Sequence, residues 1–315
     1  MRNSHASTSV RRPHPLLGNL TKPIPIDSPT LAADLGLDWN VRTTGAYTLD
    51  QDANPRPIPG RLAVVRDDTG APLGVVGTRY EPVQNSTLLD IIKAVSDPGS
   101  AVTGLQVLDG GARFHLAASV PGLSGAIRGD AMDGRLVISN AHDGSGSLRI
   151  SLLLLRQICS NGMVGWSADG RHTMRHTLSI NSRVEAVRTA YRETIAQFAG
   201  MVSRLEVLTD TPASPKNVER ITLAAFGLTL ADLADETERS HTIRTNKQRE
   251  IAHLRRSETN QTQGTGQTLF SDLQAVTEYI NHGRGDDDGT GILDGTGADM
   301  IERATAEAFS IATHA

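Results

Sequence analysis

An α+β fold is predicted: an antiparallel sheet of hairpins packed on one or two helices, followed by a helical C-terminal region. Three observations predict it. Short apolar runs alternate with Gly- and Asp-rich turns between residues 61 and 155. One long apolar stripe at three- and four-residue steps begins near residue 184. From residue 216 onward the pattern stays helical. Hairpins come first and helices later, with no βαβ alternation, so a doubly wound nucleotide fold is not expected.

Taken in order, residues 1 to about 30 are rich in Ser, Thr, Pro and Arg and read as a mobile arm. Residues 31–41 suit one short helix before a strand. Pro55, Pro57 and Pro59 are expected to break any regular element. RLAVVR (61–66) and APLGVVG (71–77) form a hairpin around Asp67-Asp68-Thr69-Gly70. Asn85 or Ser86 can cap a helix whose Leu88, Leu89, Ile92 and Val95 share one face. VTGLQVL (102–108) and ARFHLAAS (112–119) make a second hairpin. GRLVISN (134–140) and SLRISLLLL (147–155) make a third, and HTMRHTLSI (172–180) another strand.

Ser182 with Glu185 is a capping box. Val184, Val187, Tyr191, Ile195, Phe198, Val202 and Leu205 then carry a helix to about residue 208. Further helices are expected over 216–226, 230–256, 268–282 and 298–312, interrupted by the Gly-rich loops 260–267 and 283–297. The expected organisation is an N-terminal segment (1–57), an α+β core (58–208) and a helical region (209–315).

Composition excludes several classes. The chain has 315 residues, 38% hydrophobic, which allows a sizeable core. No apolar run approaches the roughly eighteen residues of a membrane-spanning helix, and no block of signal-peptide type stands near residue 1. No membrane association and a cytoplasmic location are therefore expected. The single cysteine, Cys159, excludes a disulfide framework and a cysteine-cluster metal site. The net charge of −4 excludes a uniformly basic nucleic-acid coat, though not a local basic patch. Arginine outnumbers lysine 27 to 4, a bias that genome composition or forked phosphate contacts can both produce. No cofactor is expected.

Four features bear on chemistry. The third hairpin turn holds His142, Asp143 and Ser145, with Asn140, Arg149, Arg156, Gln157, Cys159 and Asn161 nearby. It reads either as a tight turn, since Asp-Gly and Ser-Gly suit one, or as a ligand-contacting loop. His142 and Asp143 alone do not fill a metal shell. Arg149 and Arg156 lie on opposite faces of an unbroken strand, so a bulge is needed to unite them. Cys159 with His172 or His176 has the residue types of a nucleophile and base, but a buried thiol is the commoner outcome.

Asp286 to Asp294 resembles a calcium loop, but position 12 is Gly297 where a bidentate Glu is required. Between Arg239 and Arg256 stand six cations and one acid, Glu250. On a helix, Arg244, Lys247 and Arg255 fall near one face, with Arg249 and Arg256 offset. That face is either solvated or set against phosphates, and it lacks interleaved aromatics for base stacking.

The run RLAVVRDDTGAPLGVVGTRYEPVQN, then GGARFHLAA, LVISNAHDGSGSLRISLLLLRQICSNGM, HTLSINSRVEAVRTAY, NKQREI and QTLFSDLQAVTEYINHGRG, resembles in content and order a phage/plasmid-like family, domain of unknown function 932. The resemblance spans roughly residues 31 to 312. It departs where members carry an aromatic and this chain has His115, at Leu152–Leu155, and at Phe270. It implies association with mobile elements and supplies no catalytic residues. At fold level the hairpins and helix are similar to single-strand-annealing recombination proteins, an analogy rather than a site argument.

The expected function is therefore an accessory protein of phage or plasmid DNA metabolism, binding single-stranded nucleic acid through Arg149, Arg156, Arg244, Lys247 and Arg255, with oligomerisation open. The alternatives are a protein-interaction module acting on host or phage proteins, and a hydrolase or nuclease built on His142, Asp143 and Cys159.

Overall fold

The computed structural model describes residues 20–96, 98–156, 162–164, 171–174, 184–229, 241–258, 260–261, 264–282 and 296–314. The class is α+β, with antiparallel sheets first and helices after.

A three-stranded sheet is formed by β2 (Val41–Leu49), β3 (Pro55–Arg66) and β4 (Pro72–Gly77). The hairpin expected at 61–77 is present, with Leu62 opposite Val76. The expectation that the prolines break structure is corrected. β3 already runs through Pro55, Pro57 and Pro59, and pairs Pro57 with Tyr47 and Pro55 with Leu49. Before Arg61 the strand has β2 as its one neighbour, because β4 pairs only with 61–65. Alternate prolines can then direct their missing donors to the open edge.

The larger, seven-stranded sheet runs in the order β1-β5-β6-β7-β8-β10, with β9 also paired to β8. Its members are β1 (Ile24–Pro25), β5 (Ala101–Leu108), β6 (Arg113–Ile127), β7 (Asp130–Ala141), β8 (Leu148–Arg156), β9 (Gly162–Val164) and β10 (Arg171–Met174). β1 lies in the expected N-terminal arm, yet it pairs with Val102 and buries Ile26. Residues 1–19 of that arm lie outside the described residues. β6 and β7 continue past the expected ends to a tight turn at Arg128 and Gly129, both at positive φ (49° and 87°).

Strand alternation divides the sheet. Phe114, Leu116, Leu136, Ile138, Leu148 and Ile150 are buried at alternate positions. The opposite pleat positions carry Arg113, His115, Ser139 and Arg149.

Helix α1 (Leu31–Asp34) precedes β2, and α2 (Asn85–Val95) follows β4. α2 has Gln84 at its N-cap, without a side-chain cap. Asn85 instead donates to the Trp39 carbonyl at 3.1 Å. The long helix α3 (Val184–Val207) packs on β6 and α2. Its Phe198 fits against Gly134 of β7, where an added Cβ would sit 2.9 Å from the ring. Ser182, half of the capping box, lies outside the described residues.

The helical region holds α4 (Pro215–Ala225), a π-turn at Ile243–Lys247 leading into α5 (Gln248–Arg255), α6 (Leu269–His282) and α7 (Thr296–Thr313). Ser214 caps α4 by accepting the Asn217 amide at 3.1 Å, with Pro215 at the first turn. α6 is the central helix. Even its polar Asp272, Gln274, Thr277 and Glu278 are buried. Asn260 Nδ2 donates to Glu278 at 2.7 Å. One apolar cluster extends from Ile26 to Ile311.

Candidate functional site

The β5–β8 registers place Gln106 opposite His115, His115 opposite Ser139, and Ser139 opposite Arg149. Thr173 of β10 continues the row beside Arg149. A polar rung therefore crosses five strands of a sheet whose neighbouring positions are largely apolar. His115 and Ser139 are both buried, with Nδ1 and Oγ 2.8 Å apart. Burying two such polar groups is tolerable because they bond to each other.

A cavity of about 180 Å³ opens at the β7–β8 end of this rung. Arg113, His115, Ser139 and Arg149 line its sheet side; Ser145, Gly146 and Ser147 line its loop side. The loop is held from several directions. The His142 amide donates to Ala112 at 2.7 Å. Tyr80 Oη lies 3.3 Å from the carbonyls of Ala141 and His142. Burial raises the Tyr80 phenol above its ordinary range, with the Asp143 charge adding to the effect. It therefore stays a neutral donor. Asp143 Oδ1 accepts the Ser145 amide at 2.8 Å, closing an Asx turn. Arg113 bonds Asp109 at 2.6 Å and lies 3.7 Å from Asp143. Gly74 of β4 lies directly against Asp143; a Cβ there would stand 2.5 Å from the Asp143 Cα.

The sequence-predicted ligand loop is thus divided. Ser145 lines the cavity, while Asp143 acts as the loop's internal clamp. His142 is a correction: it is 0% exposed. Its Nε2 lies 3.0 Å from Asn85 Oδ1 and 3.3 Å from Asn140 Nδ2. Its ring meets Trp39 edge-on at 5.6 Å. This is a core histidine joining the loop to α2, its ring held among Asn85, Trp39 and Phe114.

The described members of the predicted cationic set have different surroundings. Arg149 lines the cavity. β7 and β8 pair without a bulge from Met132–Arg156 to Ser139–Arg149, so Arg156 stands seven residues along, about 23 Å away. The side chains of Arg156 and Arg244, and Cys159, His176 and the 286–294 loop, lie outside the described residues.

Lys247 and Arg255 point inward. Lys247 Nζ donates to Tyr279 Oη at 2.9 Å and sits 5.2 Å from the Phe226 ring centroid. Arg255 Nε donates to Asp272 Oδ1 at 2.5 Å. Both flank the buried Ile251 one turn away on either side, so the packing of Ile251 draws them in. Arg249 and Arg256 form the exposed side instead.

A second, larger cavity of about 650 Å³ lies between α4 and α7. Two of the three cations in its lining, Arg220 and Arg303, have internal roles. Arg220 pairs with Glu307 at 2.6 Å, and Arg303 donates to the last carbonyls of α4, Ala224 and Ala225. Among the described residues no group of three or more His, Cys, Asp or Glu is placed to hold a metal ion. Among them no helix is long and apolar enough to cross a membrane.

Sequence reading noticed His115 only as a departure from a family pattern and passed over Arg113, Ser139 and Ser147. The available signal was polar residues at alternate strand positions: Arg113 and His115 on one strand, Ser147, Arg149 and Ser151 near another.

No curated protein and no solved structure matches this chain. A family model does: residues 72–308 match the domain of unknown function DUF932, and the chain belongs to that family.

Proposed function

We propose that this protein binds single-stranded nucleic acid through its phosphate groups, as a non-enzymatic, cytoplasmic accessory protein of replication or recombination in phage- and plasmid-type elements. The observation that carries this reading is the cavity at the β7–β8 hairpin, where Arg149 and Arg113 meet the serines of a clamped loop. Guanidinium groups suit phosphate oxygens because their forked donors match them in geometry and keep their charge at any physiological pH. Serine hydroxyls add donors without adding charge. The exposed Arg249 of α5 and Arg256 at its C-cap offer a second point of backbone contact.

Fluorescence anisotropy with single- and double-stranded oligonucleotides across a salt series tests it. Affinity for single strands is expected to fall linearly on a log–log plot against salt. Arg149→Ala should flatten the slope by about 0.7, the value of one phosphate contact. Absence of binding at low salt, or a slope unchanged by Arg149→Ala, overturns the assignment to this site.

A second reading, a protein-docking module, is favoured by the β2–β3 ribbon. There Tyr47 (61% exposed) and Leu49 (67% exposed) lie opposite Pro57 and Pro55 on a two-stranded extension. Replacing Tyr47 and Leu49 with Ser separates the readings. Nucleic-acid affinity should be unaffected, whereas a docking function is lost.

A further inference from the structure

We infer that the β7–β8 cavity takes a terminal phosphomonoester: the phosphorylated end of a strand rather than a phosphodiester within it. This rests on the phosphate reading above and specifies which phosphate enters.

Size is the first argument. At about 180 Å³ the cavity is below the roughly 300–1,000 Å³ of clefts that enclose a whole drug-sized ligand. It accommodates one head group and leaves the rest of the ligand outside.

Shape is the second. The floor is the sheet itself, with buried His115 and Ser139 hydrogen-bonded across β6 and β7. The wall is the loop from Asp143 to Ser147. Gly144 lies against Val76, and Gly74 admits no atom between itself and Asp143. Tyr80 and Arg113 fix the same loop from the other side. A strand passing through needs two exits for its flanking sugars. The floor and the pinned loop bound two sides of the cavity and leave less room for two flanking sugars than for one.

Chemistry is the third. A monoester phosphate presents three terminal oxygens and a charge of about −1.5 to −2 at neutral pH. An internal diester presents two such oxygens and a single charge. Around the cavity stand the donors of Arg149 and Arg113, the hydroxyls of Ser139, Ser145 and Ser147, and the imidazole of His115. Asp109 and Asp143 orient Arg113, and Arg149 brings a second guanidinium to the same lining from β8.

The test uses the full-length protein and single strands of one sequence, bearing a 5′-phosphate, a 3′-phosphate or hydroxyls at both ends. One phosphorylated form is expected to bind about tenfold more tightly than the hydroxyl-ended strand. A nucleoside monophosphate should compete that advantage away. Arg149→Gln should abolish the advantage while the urea midpoint stays in place; Ser147→Ala should reduce it and serves if Arg149→Gln does not fold. NMR of the His115 imidazole should shift on adding the monophosphate or inorganic phosphate. Equal binding of phosphorylated and hydroxyl-ended strands overturns end recognition and leaves nucleic-acid binding standing. No binding of any strand, with a His115 shift on adding monophosphate, overturns the strand reading and retains the phosphate cup. No shift with any phosphate compound overturns the cup.

Discussion

Arg255 Nε donates to Asp272 Oδ1 across 2.5 Å, and the carboxylate it meets has a side chain 0% exposed to solvent. Asp272 Oδ2 also accepts the Ser214 amide at 2.9 Å, at the start of α4. One carboxylate thus joins three helical elements, and a cation that sequence assigns to a phosphate surface is instead part of the interior.

Removing that cation should cost stability rather than specific nucleic-acid contact. Arg255→Ala strands Asp272 in the core, a change that typically costs about 3 kcal/mol or more. Urea unfolding should show it. Arg249→Ala and Arg256→Ala, on the exposed face, should leave the urea midpoint in place and reduce the salt slope of single-strand binding. A reversed pattern would return Arg255 to the surface.

Burial pushes the Asp272 carboxyl up to about 6, against the opposing pull of the Ser214 amide and Arg255. The folded protein therefore holds this proton more tightly than the unfolded chain does. The stability that this group contributes is complete below about pH 4 and is lost as pH rises through about 6. Asp272→Asn should remove that fall, which is worth at most about 3 kcal/mol between pH 4 and 7. Asp68, held low by its bond to Arg66, and Asp50, held low by the Asn54 amide, act with the opposite sign. Their contributions are present above about pH 4 and are lost as pH falls further, so the windows are separable by urea midpoints measured at pH 3, 5 and 7.

Gly74→Ala should displace the clamped loop, because the new methyl would meet the Asp143 backbone rather than a flexible side chain. A loss of about 1–3 kcal/mol is expected, as for overpacking elsewhere. Phosphate affinity at the β7–β8 cavity should weaken with it. Gly77→Ala, on the same strand with nothing within 4 Å, should do neither. Equal effects from the two would show that the loop does not depend on this contact.

His142→Ala should act as a core mutation. It strips Asn85 of a 3.0 Å partner and opens space beside Trp39 and Phe114. A cost of about 2–4 kcal/mol is expected in thermal or urea unfolding. A stable variant with selectively lost ligand binding would place His142 in the site after all.

Much of the fold was legible locally. Turn residues such as Asp109-Gly110-Gly111 separate runs of period-two sequence, and the turn chemistry and strand alternation agree. The Arg128–Gly129 turn was missed because an arginine at positive φ is not a usual turn signal. The prolines of β3 misled because their tolerance depends on having one neighbour rather than two, which the local sequence does not reveal.

The sequence by itself determined which residues share a face within each strand or helix, since backbone geometry repeats over two residues or 3.6. Tertiary structure alone decided which face turned inward and which residues from different strands became neighbours. His115, Ser139 and Arg149 form one rung because the strand registers were set by burying Phe114, Leu116, Ile138 and Ile150 on the other side. Lys247 and Arg255 went inward because Ile251 between them had to be buried. Register and burial are settled by packing between distant parts of the chain, which no local period encodes.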